Sequence, residues 1–487
     1  MDKAEQLMRQ VVEECADCGC CRDLMDANCH FFPRLHELWD REEDTGQTIT
    51  PSELRELAHL CHYCTLCPCP HIRQDIITAK TLFMDRDGLP LSIRFLEDVQ
   101  RVGTWCGAIP RLSNRLLQNR VTGQLVRACT GIHPKRQLPS IPQENFLTWV
   151  KAHHARQDPA DQPGPKVAYF AGCTATHLFP QVARATVELL ERNQVTVTCP
   201  QLPCCGMPSM LEGDRQKTLA SARQTIHHLS QLVRDGYTIV CSCPTCGYML
   251  KKVIPQGAYY SRAYQERVGG TDKLLKVPEH VFSSTQSPTT LSPLIQSAKS
   301  LETVTLEHPG TGRPQEVVLR LLDRSTYGRV MKDDGYLARI DPLERIHVAE
   351  NCQDLGEYLL GLHQKGGLST SFAPLEADVL YYPPCHQREM GAGNPYMELL
   401  GLMDLSRLGA IENSSTLCCG CSGIMGFKKT FHQASLELGS RLMEHINALA
   451  PDLLVTECLS CRLQFEQMSN YPVRHPLELL NRVPENR

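Results

Sequence analysis

Twenty-five cysteines in 487 residues, most of them in four sets, constrain this chain more than any other feature. The first set reads Cys15-x2-Cys18-x2-Cys21-x7-Cys29, and the second Cys61-x2-Cys64-x2-Cys67-x-Cys69-Pro70. The other two are longer and match each other. They read Cys173-x30-Cys204-Cys205-x37-Cys243-x2-Cys246 and Cys385-x32-Cys418-Cys419-x38-Cys458-x2-Cys461. An odd cysteine count in a chain of this size does not suit a disulfide framework. The start, MDKAEQLMRQVVEEC, is charged and lacks the apolar stretch of a signal peptide. The thiols are therefore expected to stay reduced, in the cytoplasm, and to act as metal ligands.

Other properties exclude broad classes. No apolar run reaches about 18 residues, so no membrane span is expected. The formal net charge of -4 gives no electrostatic case for a nucleic-acid partner. No glycine fingerprint for a flavin or nucleotide stands out, which places any primary dehydrogenase site on another chain.

Pattern divides the chain into an α part followed by an α/β part. Residues 1–80 hold nine cysteines, and residues 81–156 read as helical. Gln157–Pro165 is rich in proline and aspartate and reads as a linker. Residues 166–252 then alternate: strands at Val167–Phe170, Val195–Thr198 and Thr238–Cys241, with a helix near Phe179–Arg192. A second, longer helix carries Leu219, Ala222, Ile226, Leu229 and Val233 at helical steps. The same order recurs in 346–487. Strands are expected at Val379–Tyr382 and Leu453–Thr456. The helix between them carries Phe431, Ala434, Leu438, Leu442, Ile446 and Leu449 on one face. Residues 253–345 form a long connection of unread fold, with a loop-like stretch at Ser283–Pro293.

The spacings carry chemistry. Three thiolates two residues apart wrap three corners of a cubane [4Fe–4S] cluster, and in two-cluster ferredoxins the fourth ligand comes from the other burst. By that rule Cys15, Cys18, Cys21 and Cys69 hold one cluster, and Cys61, Cys64, Cys67 and Cys29 the other. Both bursts depart from the ferredoxin pattern. The first stretches its last spacing to seven residues and puts His30 where proline is usual; the second shortens it to one. Cys20 is spare. A pair of zinc ribbons is the alternative, since Cys-x2-Cys also suits tetrahedral zinc.

In each long set the cysteines follow predicted strands. Parallel α/β layers gather those strand ends on one edge. Five thiolates would meet there, one more than a cubane needs, which suggests an expanded or open cluster. His386 and His177 follow Cys385 and Cys173 closely, and either suits proton donation or a hydrogen bond to a cluster sulfur. Cys106, Cys129, Cys199, Cys241, Cys352 and Cys421 fit no ligand position and read as buried apolar residues.

This layout resembles the iron–sulfur subunits related to the catalytic part of heterodisulfide reductase. They include the third subunit of anaerobic glycerol-3-phosphate dehydrogenase and the glycolate oxidase iron–sulfur subunit. The resemblance covers the two bursts, Gly131-Ile-His-Pro-Lys-Arg-Gln-Leu-Pro139 and both cysteine-pair segments. Tyr382-Pro-Pro-Cys385-His386 and Cys458-Leu-Ser-Cys461-Arg462 carry it most clearly. It implies a helical two-cluster ferredoxin-like domain followed by a duplicated cysteine-rich (CCG) domain. It also implies a noncubane [4Fe–4S] cluster on Cys173, Cys204, Cys205, Cys243 and Cys246, and another on Cys385, Cys418, Cys419, Cys458 and Cys461.

The function so implied is an oxidoreductase subunit. Electrons from a flavin-containing or iron–sulfur partner reach the noncubane pair, which reduces or forms a disulfide, with Cys205, Cys419 and His386 as catalytic candidates. Delivery to a membrane quinone is the alternative, and a zinc-stabilised scaffold is the alternative from another class. Pro110–Arg127 suits a basic amphipathic helix that packs on the protein's own core, docks a partner or lies peripherally on the inner face of the cell membrane.

Overall fold

The computed structural model describes residues 1–26, 28–155, 164–283, 300–307, 314–328, 331–411 and 417–484. Most of the Gln157–Pro165 linker and of the Ser283–Pro293 loop lies outside the described residues.

The N-terminal unit is helical. Helices Lys3–Cys18, Phe31–Thr45, Pro51–Leu60 and Pro70–Asp87 close around Met8, Val12, Phe31, Leu35, Leu54, Leu57, Ile76 and Phe83. Reciprocal caps start two of them. Asp2 and Glu5 exchange backbone hydrogen bonds, as do Thr50 and Glu53. Gly19, left-handed at φ 65°, stops the first helix between Cys18 and Cys20.

Two four-stranded parallel sheets follow. The first runs, in spatial order, Thr196–Thr198, Lys166–Phe170, Thr238–Cys241 and Cys352–Asp354. The second runs Leu405–Ala410, Leu375–Tyr381, Leu453–Val455 and Val473–Arg474. Taken in chain order, both are 2-1-3-4, so the repeat extends to topology. Cys352–Asp354, expected in the second segment, is the fourth strand of the first sheet, paired beside Thr238–Cys241. The connection 253–345 is thus an insertion between the third and fourth strands of the first copy. It folds around an antiparallel sheet of Leu274–Pro278, Pro314–Asp323 and Leu301–Glu307. Tyr259, Tyr264, Leu275, Val277, Leu319 and Leu322 form its own core.

Two expected helices differ. The second-copy helix, His432–Leu449, buries His432, Ser435, Gly439, Leu442 and Ile446, whereas Leu449 is exposed. Small residues face inward there because the helix lies against the Cys419 turn; a Cβ on Gly439 would stand 2.6 Å from the Cys419 carbonyl oxygen. The single helix expected over Pro110–Arg127 is two, Pro110–Gln118 and Arg120–Thr130. Asn119 breaks it by taking extended backbone and accepting the N–H groups of Val121 and Thr122. No helix among the described residues is long and apolar enough to cross a membrane.

Candidate iron–sulfur sites

The N-terminal thiols gather in two groups. The Cys15 thiol is raised by burial and by Cys21, Cys69 and Cys18 beside it. The Cys67 thiol is raised by burial and then by Cys64, Cys61 and Cys29, although Arg73 opposes this. The second group shares a cavity lined by Cys29, Cys61, Cys64 and Cys67, with His30, His62 and Cys418 on its walls. The Cys61–Cys69 loop winds tightly to do this. Tyr63 and Thr65 are left-handed at φ 56° and 66°, costly for non-glycine residues and most of all for a β-branched threonine. Cys18 and Cys20 lie side by side, exposed at the rim of the first group.

The cavity's surroundings fit an anionic cluster. Arg73 is 2% exposed and Lys80 fully buried; Lys80 Nζ has no hydrogen-bond partner, and Arg73 Nη1 has only a long ion pair, 3.6 Å to Glu389. Buried cations are costly unless an anion answers them. Cys67 is the strongest attraction on Arg73, and Glu212 and Cys61 are those on Lys80. A backbone N–H, from Phe31, points at Cys29 Sγ at 3.3 Å. The donor sets consist of thiols alone, the soft ligands that iron–sulfur clusters take. Among the described residues, no three His, Cys, Asp or Glu groups close tightly enough to hold a single metal ion.

The two long sets meet at the strand ends. In the first copy Cys173 Sγ lies 3.5 Å from Cys204 Sγ. S–H donation from Cys204 and Cys246 holds the Cys205 thiol below its ordinary value, and donation from Cys246 lowers Cys243. In the second copy Cys418 and Cys461 hold Cys419 down in the same way. Cys385 is raised by burial, and its neighbours include Cys64, Cys419 and Cys458. Glycine follows each cysteine pair for a reason of backbone. Gly206 and Gly420 are left-handed at φ 94° and 84°, and a Cβ on Gly420 would sit 2.1 Å from the Ser435 carbonyl oxygen.

His386 joins three parts of the molecule. Its Nε2–H donates to the Tyr63 carbonyl oxygen at 3.2 Å, and Thr245 Oγ1 donates to its Nδ1 at 3.0 Å. The ring stacks on Tyr248 at 4.9 Å. Burial lowers it to about 4, so the imidazole is neutral. Through it the N-terminal loop, the Cys243–Cys246 turn of the first copy and Cys385 of the second are tied together. Thr65 Oγ1 adds a bond to the Cys385 carbonyl oxygen at 3.2 Å. His30, at the usual proline position, donates to the Ala434 carbonyl oxygen at 2.9 Å and docks the first burst on the second copy.

His177 lines a separate cleft with Gln100, Phe146, Tyr169, Cys173 and Cys199, and its Nδ1 has no hydrogen-bond partner. The cysteines outside the sets divide. Cys241, Cys352 and Cys421 are buried as expected, Cys106 and Cys199 are partly buried, and Cys129 is exposed, because its short helix lies on the surface.

Sequence reasoning missed Arg73, Lys80 and Arg136. Arg136 lies within the Gly131–Pro139 segment already singled out. It is 1% exposed, bonds Gln464 Oε1 at 2.7 Å, and donates toward Cys421 Sγ beside the second cysteine pair. Nothing local marks Arg73 or Lys80, which sit in an ordinary helix.

Known proteins share this arrangement. The cysteine-rich (CCG) domain model matches residues 167–251 and 379–466, the two copies. The chain thus carries two matches to the CCG domain, and it is similar to subunits of oxidoreductase complexes. It is 23% identical over 359 residues to the third subunit of anaerobic glycerol-3-phosphate dehydrogenase from Escherichia coli, covering 73% of this chain and 68% of that one. Over 88 residues, 18% of this chain and 35% of the relative, it is 38% identical to lactate utilization protein A of Exiguobacterium sp.. Over 96 residues, 19% of each, it is 28% identical to a fumarate reductase (CoM/CoB) subunit of Methanothermobacter marburgensis. These relatives and the domain pair make this an iron–sulfur electron-transfer subunit of an oxidoreductase.

Proposed function

We propose that the chain carries electrons between a flavin-containing or iron–sulfur partner subunit and a disulfide that is split or formed between the two CCG sites. The junction at His386 carries this reading. The N-terminal thiol loop, the Cys243–Cys246 turn of the first copy and Cys385 of the second meet there within hydrogen-bond distance.

Cys15, Cys18, Cys21 and Cys69 would hold one cubane cluster, and Cys61, Cys64, Cys67 and Cys29 the other. Cys173, Cys204, Cys205, Cys243 and Cys246 would hold one noncubane cluster, and Cys385, Cys418, Cys419, Cys458 and Cys461 its counterpart. When bound, the clusters supply one-electron storage at tunable potentials and iron sites open to sulfur. The chain's own residues do the rest. Arg73 and Lys80 answer negative charge at the inner thiols. His386 keeps the Cys243–Cys246 turn and Cys385 in register and acts as a positioning residue, with its N–H already committed to Tyr63. Cys205 and Cys419 stand at the two turns where the substrate sulfurs would lie. The overall change is a disulfide taking two electrons and two protons to give two thiols.

A quinone acceptor is the second reading. The aromatic cleft at Cys173 favours it, with the unpartnered His177 Nδ1 on its wall.

The test is an anaerobic assay of the whole chain with reduced dye, offering small disulfides or a quinone analogue. Disulfide turnover that disappears in both Cys205→Ser and Cys419→Ser supports the first reading. Turnover with quinone alone replaces it by the second. About sixteen irons per chain are expected; zinc in place of iron overturns both.

A further inference from the structure

We propose that the helical layer Leu91–Thr130 is a docking face for an anionic lipid surface, with the protein lying on the membrane rather than crossing it. The proposal is independent of which clusters the thiols hold.

The layer is built from four short helices, Leu91–Leu96, Val99–Ala108, Pro110–Gln118 and Arg120–Thr130, each packed on its neighbours. It buries almost nothing of its own. The first and third helices contain no buried residue, and the other two bury only Gly103 and Gly123. The two glycines are points of close approach. A Cβ on Gly103 would meet the His177 ring, and one on Gly123 would stand 2.5 Å from the Leu117 carbonyl oxygen. The backbones are thus pressed inward, and the large side chains point elsewhere.

They point to solvent. Among the described residues fourteen large apolar side chains are exposed, and seven of them fall between Leu91 and Leu125. Trp105, Val121 and Leu125 are 63%, 76% and 64% exposed, with Ile109, Leu112 and Leu116 near them in sequence. Single exposed apolar residues mean little, but a concentration of this kind marks a binding face. Within single helices, Leu112 and Leu116 share a face at i, i+4, as do Val121 and Leu125.

Charge selects the occupant. From Val99 to Gln143 the chain holds no Asp or Glu, although its overall charge is negative. Arg111, Arg115 and Arg120 are exposed, each directly before an exposed Leu112, Leu116 or Val121. An arginine row beside an apolar row is the arrangement of helices that lie in a bilayer interface. There the guanidinium groups reach phosphates while the apolar row sinks below the headgroups. The exposed Trp105 suits the same depth.

This face also adjoins a redox site. Gln100, in the second helix of the layer, accepts the Cys204 N–H at 3.2 Å and lines the cleft at Cys173. A protein seated on this face holds its first cysteine-pair copy close to the lipid.

The experiment is sedimentation of the intact, anaerobically purified chain with vesicles of phosphatidylcholine alone or with about 30% phosphatidylglycerol. The expected result is binding to the anionic vesicles only, weakened roughly tenfold between low and moderate salt. The triple variant L116S/V121S/L125S and the triple variant R111Q/R115Q/R120Q should each lose at least about tenfold in vesicle affinity. Both should keep the wild-type iron content and thermal midpoint, since the side chains changed are exposed. Equal binding to neutral vesicles, no binding at all, or wild-type binding by either variant overturns the proposal. So does a variant that loses a co-purifying polypeptide while its vesicle binding is unchanged, which would make the face a protein interface. Dye-linked turnover in detergent-free solution reads the redox function separately, so the two ideas fail by different results.

Discussion

In the first CCG copy Cys173, Cys204 and Cys243 are partly open, and Cys173 lines a cleft together with Gln100 and Phe146. In the second copy Cys418, Cys419, Cys458 and Cys461 are all buried, and the Cys61–Cys69 loop closes over Cys385. One strand order therefore serves two situations. The second copy faces the N-terminal thiols, with Cys64 among the neighbours of Cys385 and Cys418. The first faces outward, toward a cleft and an exposed helical layer. Duplication made two equivalent thiol edges, and what packs over each edge made them different.

The largest effect should separate these roles. Cys419→Ser and Cys205→Ser should each lower acceptor turnover by roughly 100-fold or more. Electron paramagnetic resonance should distinguish them. After Cys205→Ser the second copy still takes electrons, whereas after Cys419→Ser neither copy does so at the wild-type rate. Equal behaviour of the two variants would erase the distinction between an inner and an outer copy.

Backbone tolerance comes next. Gly420→Ala adds a Cβ within 2.1 Å of a backbone oxygen on top of a left-handed φ. It should cost about 4 kcal/mol in anaerobic urea unfolding. Gly206→Ala meets nothing nearer than 3.5 Å, and should cost about 1–2 kcal/mol, the left-handed penalty alone.

The copies are also joined by a buried pair, Lys428 Nζ to Glu212 Oε2 at 2.5 Å, with side chains 6% and 4% exposed. Glu212→Gln strands the ammonium and should cost about 3 kcal/mol. The double variant E212Q/K428M should recover most of that loss in the same unfolding measurement.

The effect that is smallest at neutral pH is on acid stability. His475 of the second copy donates to the Ser242 carbonyl oxygen of the first at 3.0 Å, and burial lowers it from 6.5 to about 3. Above pH 6.5 both folded and unfolded chains are neutral there, and the group contributes no pH dependence. Below it the unfolded chain takes up a proton that the folded chain refuses. Stability then falls as pH drops toward 3, by up to about 1.4 kcal/mol per unit. His475→Asn should flatten that slope.

Much of the core was legible in local pattern. Thr238–Cys241 forms where its β-branched residues predict, and Ala222, Ile226, Leu229 and Val233 are buried as their spacing requires. The face of His432–Leu449 was misread because hydrophobicity marks the usual buried stripe. Here close approach to the Cys419 turn selects Ser435 and Gly439 instead. Cys352–Asp354 and Val473–Arg474 escaped because strands of three and two residues carry no periodicity.

The sequence by itself determined the four thiol sets, the repeat of strands and helices, and the glycine after each cysteine pair. Each of these is a constraint written within a few tens of residues, where spacing and periodicity operate. Only the tertiary structure decided which copy is covered, that Arg73 and Lys80 stand at the inner thiols, and that His386 holds three segments at one point. The first and last of these depend on packing between stretches more than a hundred residues apart, such as Tyr63 against His386 and Glu212 against Lys428. No local pattern encodes which surfaces of a chain will meet.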